Sequence, residues 1–250
     1  MGCETLRVIA CRSAAVVGAL SLFAAAPAAT GAEEKTGTPS APAALQPKIQ
    51  DLGNGQYRIG LVEVDKTKRS IRIPGAILRE EPPLEFLAVT QGGFKDYESL
   101  LALGASAYEV NLACILVGLD PDRGKAPQFH FDPEPVVGDA VDVWVEWERK
   151  GKTTRVDAAD LIMMGEKKLA PGEWVYTGSV ITPDGQYLAH LDGTIIGFVH
   201  DPSPIIEHRT GLGLGAFGAV VADKKLLPPV GTRVTVIVEP RGEPKAAAAK

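Results

Sequence analysis

Five consecutive residues, Lys95-Asp96-Tyr97-Glu98-Ser99, gather more usable chemistry than any other stretch of the chain. A glutamate beside a serine can in principle activate a hydroxyl or bind a cation. The cluster follows Gly92-Gly93 and precedes an apolar segment, and loops held on a rigid scaffold often carry function. The same residues have a structural use. Glu98 can accept main-chain N–H groups freed by the turn, and Ser99 can satisfy the end of an element. No G-x-S-x-G elbow or histidine accompanies them, so the structural use is the expectation. A hydrolase or metal-dependent enzyme would have to recruit Glu98, Ser99 and a distant histidine. As a binding surface, the same patch offers Lys95, Tyr97 and Glu98, with Trp144 as a further contact candidate.

The four histidines, His130, His190, His200 and His208, show no i, i+2 or i, i+4 spacing, so no metal motif is written in the sequence. Only a fold gathering His190, His200 and His208, with Asp201 or Glu207, would make them ligands. Gly213-Leu214-Gly215-Ala216-Phe217-Gly218 matches G-x-G-x-x-G. The dinucleotide version needs a strand directly before and a helix directly after. Here the nearest upstream strand is expected to end at His200, and Pro228-Pro229 stops a helix soon after. Of three cysteines, Cys3 and Cys11 lie near the start and Cys114 in an apolar segment, where an inert buried thiol is expected. No cofactor is expected.

The elements that must position these residues are mostly strands. Residues 57–64 and 70–73 read as a hairpin, and 141–148 alternates Val141, Val143, Val145 and Trp147 against Asp142, Trp144, Glu146 and Glu148. The valine face should be core. Trp144, on the other face, is expected to be covered by 157–171. Residues 149–152 turn into a partner strand at 153–156, and 158–164 reads as a short helical turn. Segments 174–181 and 187–189 bracket a Pro183-Asp184-Gly185 turn, and His190 and His200 fall on strands joined at Asp192-Gly193. Residues 233–239 repeat the alternation with Val234, Val236 and Val238 inward. Ser106 and Glu109 form a capping box for a helix over about 106–119, apolar on nearly every side and therefore expected to be covered all round, Leu112, Ile115 and Leu116 included. The expected fold is α+β, with mostly antiparallel strands and hairpins packed around that one apolar core helix.

The stretch LEFLAVTQGGFKDYESLL, followed by a helix ending ILVGL, resembles the core signature of the YdjY-domain family. VDVWVEW, WVYTGS, the Asp-Gly before an apolar strand and VGTRVTVIVEP resemble later blocks in the same order, over most of 57–240. The resemblance implies a mixed, strand-rich extracytoplasmic domain and brings no established activity with it. Some members carry iron–sulfur cysteine clusters, for which this chain lacks the cysteines. Tyr97 stands where the family usually has histidine, which counts against imidazole chemistry there.

Residues 1–32 read as a signal peptide: Arg7 and Arg12 precede an alanine-rich apolar run with small residues for cleavage. The run is too short for a membrane span. Residues 33–48 are a Pro- and Ala-rich linker, 49–240 one domain, and 241–250 a disordered tail. The chain carries a formal charge of −5, and removing the signal leaves it more acidic, so a phosphate-tracking nucleic-acid binder is not expected. The expectation is a periplasmic or secreted, non-enzymatic domain that binds an unknown protein or envelope component, with no transmembrane span in the mature chain.

Overall fold

The computed structural model describes residues 47–213 and 218–242; the expected signal peptide, most of the linker and most of the tail lie outside them. The strands in chain order are β1 (Ile49–Gly53), β2 (Gln56–Ile59), β3 (Val62–Asp65), β4 (Ser70–Ile77), β5 (Phe86–Thr90), β6 (Ser99–Leu103), β7 (Asp139–Arg149), β8 (Lys152–Asp157), β9 (Ile162–Met164), β10 (Lys167–Lys168), β11 (Trp174–Tyr176), β12 (Thr194–Val199), β13 (Ile206–Leu212), β14 (Val220–Ala222) and β15 (Arg233–Pro240). Two α-helices accompany them, α1 (Ala107–Leu116) and α2 (Leu188–Asp192). Neighbours run β4-β15-β7-β11-β13-β12-β5-β6, and β6 pairs back onto β4. Eight strands therefore close into a barrel, with β1-β2-β3 extending from β4 and β8 continuing beside β7. Closure leaves no open edge among these eight strands.

Alternation sets the interior. Val141, Val143, Val145 and Trp147 of β7, Val234, Val236 and Val238 of β15, and Ile71 and Ile73 of β4 are all buried in one apolar cluster. Register aligns them: Val236 lies opposite both Ile73 and Val145. The β7–β8 hairpin turns at Lys150 and Gly151, both with positive φ, the geometry that matches strand twist.

The α+β expectation is overturned: the fold is a mostly-β barrel, and α1 is not an axis for the strands. The capping box is present, with Glu109 N–H donating to Ser106 Oγ at 3.3 Å and Ser106 N–H to Glu109 Oε2 at 2.7 Å. The far end closes as a Schellman motif, Leu119 N–H reaching Cys114 O and Gly118 N–H reaching Ile115 O, with Gly118 left-handed. Between these caps only one stripe is buried: Ala107, Val110, Ala113, Cys114 and, just beyond, Val117. Leu112 and Leu116 are half-buried, and Ile115 and Tyr108 are exposed. Apolar residues around a whole helix do not oblige a core position when the helix is a plug. α1 touches β3, β4 and β12, and Asn111 accepts from Tyr176 Oη of β11 at 2.7 Å. It thus spans strands from around the ring and stoppers one barrel end. At the other end, the β10-β9-β14 sheet and the turn before it supply Leu161, Ile162, Val220 and Ala222 to the same core.

Other elements differ from expectation. Residues 57–64 break at Gly60-Leu61 into two strands. His190 lies on α2, and Gly193 is that helix's left-handed cap instead of a hairpin turn. A strand over 206–212 ends directly before Gly213, and β14 follows Gly218 closely where the dinucleotide motif needs a helix; Leu214 to Phe217 lie outside the described residues.

Candidate functional site

Two of the barrel's joints are parallel, β5–β6 and β12–β13, each made by a short connection over the outer wall, 91–98 and 200–205. Beneath them, register places one row of outward residues: Val175 opposite Glu207, Glu207 opposite Gly197, Gly197 opposite Phe86, and Phe86 opposite Ser99. Gly197 makes the room. A Cβ there would lie 2.9 and 3.0 Å from the two Glu207 carboxyl oxygens. Glu207 is fully buried, with Oε1 accepting from Asp201 N–H at 3.3 Å and Oε2 without a hydrogen-bond partner among the described residues. Burial first, and Asp201 second, hold its carboxyl well above the usual glutamate range.

The 91–98 connection lays Lys95 over this wall. Its ammonium lies 5.7 Å from the Phe86 ring centroid and 5.8 Å from that of Tyr97, and donates to Glu98 Oε1 at 2.7 Å. Burial alone would lower the Lys95 ammonium; the Glu98 carboxylate, with help from Tyr97 and Asp201, more than offsets it and holds the group above its ordinary value. Glu85, also buried, offers Oε2 to His130 Nε2 at 3.0 Å and leaves Oε1 without a partner among the described residues. Burial and then Glu98 raise its carboxyl, against the pull of His130 and Lys95. Asp192 is raised by burial and by Asp201, while Ser203 and Lys95 draw it down. One ammonium and one imidazole thus stand among five carboxylates, a site rich in displaced proton affinities.

The sequence candidates find different partners from those expected. Glu98 bonds Lys95 and not turn N–H groups, and Ser99 Oγ donates to Lys95 O at 2.7 Å. Tyr97 is 45% exposed and meets Phe94, 70% exposed, edge to face at 6.4 Å. Trp144 is half-buried, and the Arg155 guanidinium of β8 lies over it, 4.7 Å from the ring centroid. The three histidines considered as ligands do not converge. His200 sets Nδ1 at 2.7 Å from Asp132 O and Nε2 at 2.9 Å from His208 O. His208 donates from Nε2 to Ala170 O and accepts Gly211 N–H at Nδ1, and burial lowers its imidazole. His190 lies against Tyr108, the ring planes tilted and the centroids 4.6 Å apart. Among the described residues no group of three His, Cys, Asp or Glu side chains is placed to hold a metal, and Cys114 is a buried thiol that burial pushes up.

Sequence reasoning missed Phe94, Glu85 and the partnership of His130 with Glu85, and it considered Glu207 only as a partner for the histidines. One signal was available: Glu85 and Glu207 are single carboxylates set in apolar runs, Leu84 to Val89 and Ile205-Ile206, and a carboxylate inside such a run needs a reason.

No helix among the described residues is long and apolar enough to cross a membrane. No curated protein and no solved structure matches the chain. The YdjY domain model matches residues 62–239, from β3 through nearly all of β15 and across the whole closed barrel. The chain belongs to the YdjY domain family.

Proposed function

We propose that this is an exported, non-enzymatic binding domain whose contact surface is the 91–98 connection and whose partner is a protein or other envelope component. The exposed Phe94–Tyr97 pair carries the reading. Exposed aromatics on an immobilised loop supply contact area at little cost in side-chain freedom, and such residues dominate binding energies. The loop is immobilised from below. Lys95 and Glu98 are paired and largely buried, Lys95 N–H donates to Asp192 O at 3.3 Å, Ser99 Oγ ties back to Lys95 O, and the Arg79 guanidinium holds Tyr97 O. The carboxylates under the loop serve as its foundation. Export rests on the arginine-flanked apolar run at residues 1–32.

The test is site-specific photocrosslinking in the native envelope. A photoreactive residue at Phe94 or Tyr97 should give one discrete adduct, and one at exposed Leu52 or Val230 should give none. Equal labelling at all four positions would sink the reading. The mature N-terminus, read by intact mass, should fall between Ala29 and Glu34, without a lipid adduct.

A further inference from the structure

At the end of the barrel plugged by α1, the start of β4, the start of β7 and the end of β15 leave a cleft of about 230 Å3. Arg69, Arg123 and Arg241 line it, with Asp139, Gly118 and Gly138. Three guanidiniums converging on one small cleft are unexpected on an acidic chain.

Their partners are unevenly shared. Arg123 is fully engaged: Nε and Nη2 grip Asp139 at 2.8 and 2.5 Å, and Nη1 reaches Asp120 at 3.2 Å. Arg241 directs Nε and Nη2 at a single oxygen of Asp142, at 2.7 and 2.5 Å. Arg69 meets no carboxylate among the described residues; Nε donates to Val117 O at 3.1 Å, at the end of α1, and Nη1 to Gly242 O. Main-chain carbonyls orient a guanidinium without neutralising it. Among the described residues no carboxylate balances the Arg69 charge at the cleft, and beside it stands an Arg241 fork whose Nη1 makes no hydrogen bond to a described residue.

We propose that this cleft binds a small oxyanion, a phosphate or carboxylate group, held by Arg69 and Arg241 over the Arg123–Asp139 pair. Planar guanidiniums suit the two-oxygen edge of such groups. The volume admits one such group and falls below the range for drug-sized ligands. Asp139 and Asp120 hold Arg123 as a wall, and Asp142 compensates Arg241, so the charge on offer comes from Arg69, to which Arg241 adds that Nη1 as a further donor. A free phosphate and a phospholipid headgroup present the same chemistry, and the test separates them. The cleft lies apart from the Phe94–Tyr97 loop and does not depend on the function proposed for that loop.

The experiment is equilibrium dialysis of the full chain with inorganic phosphate, at ionic strength matched with chloride, beside sedimentation with vesicles of phosphatidylglycerol or phosphatidylcholine. The parent should bind phosphate saturably, or sediment only with the anionic vesicles. Arg69→Gln and Arg241→Gln should each weaken that binding about tenfold or more, the scale of one lost charged hydrogen bond. Arg69 also caps α1, so the Arg241→Gln variant keeps the test valid if the first fails to fold. Phosphate binding without vesicle binding identifies a soluble anion as ligand; arginine-dependent sedimentation identifies a headgroup. No saturable binding to either, or binding that both folded variants retain, overturns the proposal.

Discussion

Glu207 is fully buried, with a main-chain N–H on one carboxyl oxygen and no hydrogen-bond partner among the described residues on the other. An ionised carboxylate there is costly, so the native state favours the proton. The sign of the stability effect follows. From about pH 4.5, the ordinary value, up to the raised native value, the folded chain binds more protons than the unfolded chain, and stability falls as pH rises. Glu85 and Asp192, also raised, act in the same direction. Glu207→Gln should therefore stabilise the protein at pH 7 by about 1 kcal/mol or more, since a tenfold change in proton affinity is worth ~1.4 kcal/mol. It should also flatten the decline between pH 5 and 7; denaturant titrations at both pH values decide, and an unchanged slope would sink the idea. Glu98 predicts the reverse. Its partner is a largely buried ammonium, so Glu98→Ala leaves that charge unpaired and should cost about 3 kcal/mol. Glu98→Gln keeps an acceptor and should cost less. A rise in melting temperature for Glu98→Ala would instead favour a catalytic or cation-binding carboxylate.

Strands with strict alternation were legible in the sequence: 141–148, its hairpin partner and 233–239 lie where the period of two placed them. The Ser106–Glu109 cap was legible because capping is local. Fold class was not, for two physical reasons. Closure depends on β4–β6, β12–β5 and β11–β13 pairings, whose partners are far apart or whose registers no turn dictates. The parallel joints use connections far shorter than the helical crossovers from which parallel pairing is usually inferred. Residues 206–212 hide as a strand because Glu207, His208 and Arg209 read as loop, although the first two are buried. Helix α1 misled because its composition is apolar while its burial is one stripe. Ile115→Ser should accordingly change stability by no more than about 0.5 kcal/mol, whereas Leu103→Ala, at a fully buried position of β6, should lose about 2–5 kcal/mol. At the joint between the 91–98 connection and α2, a Cβ on Gly193 would sit 2.6 Å from Gly93 Cα, and Gly193 has φ +74°. Gly193→Ala combines an unfavourable backbone with a main-chain clash and should cost about 2 kcal/mol or more in chemical denaturation.

For the whole molecule, the decisive pairing is β6 onto β4, because it separates what closes the barrel from what only extends it. Strands β1 to β3 lie outside the ring, and the family match begins with β3. Their contributions are unequal. β3 places Val62 and Val64 in the core and touches α1, and β2 contributes Ile59. All five residues of β1 are exposed, and its one partner is β2. An exposed strand on an outer edge adds little buried apolar area, the main source of stabilisation. Deleting residues 1–54 should therefore leave a cooperative unfolding transition with a midpoint lowered by no more than about 3 °C, the scale of ~1 kcal/mol for a domain of this size. Deleting through Asp65 removes Ile59, Val62 and Val64 and uncovers β4 and one side of α1, so the shorter chain should lose several kcal/mol or fail to fold. Thermal melts of the two truncations make the comparison. If the first deletion already abolishes cooperativity, β1 is an integral part of the barrel's support and the ring does not stand on its β4–β6 closure alone.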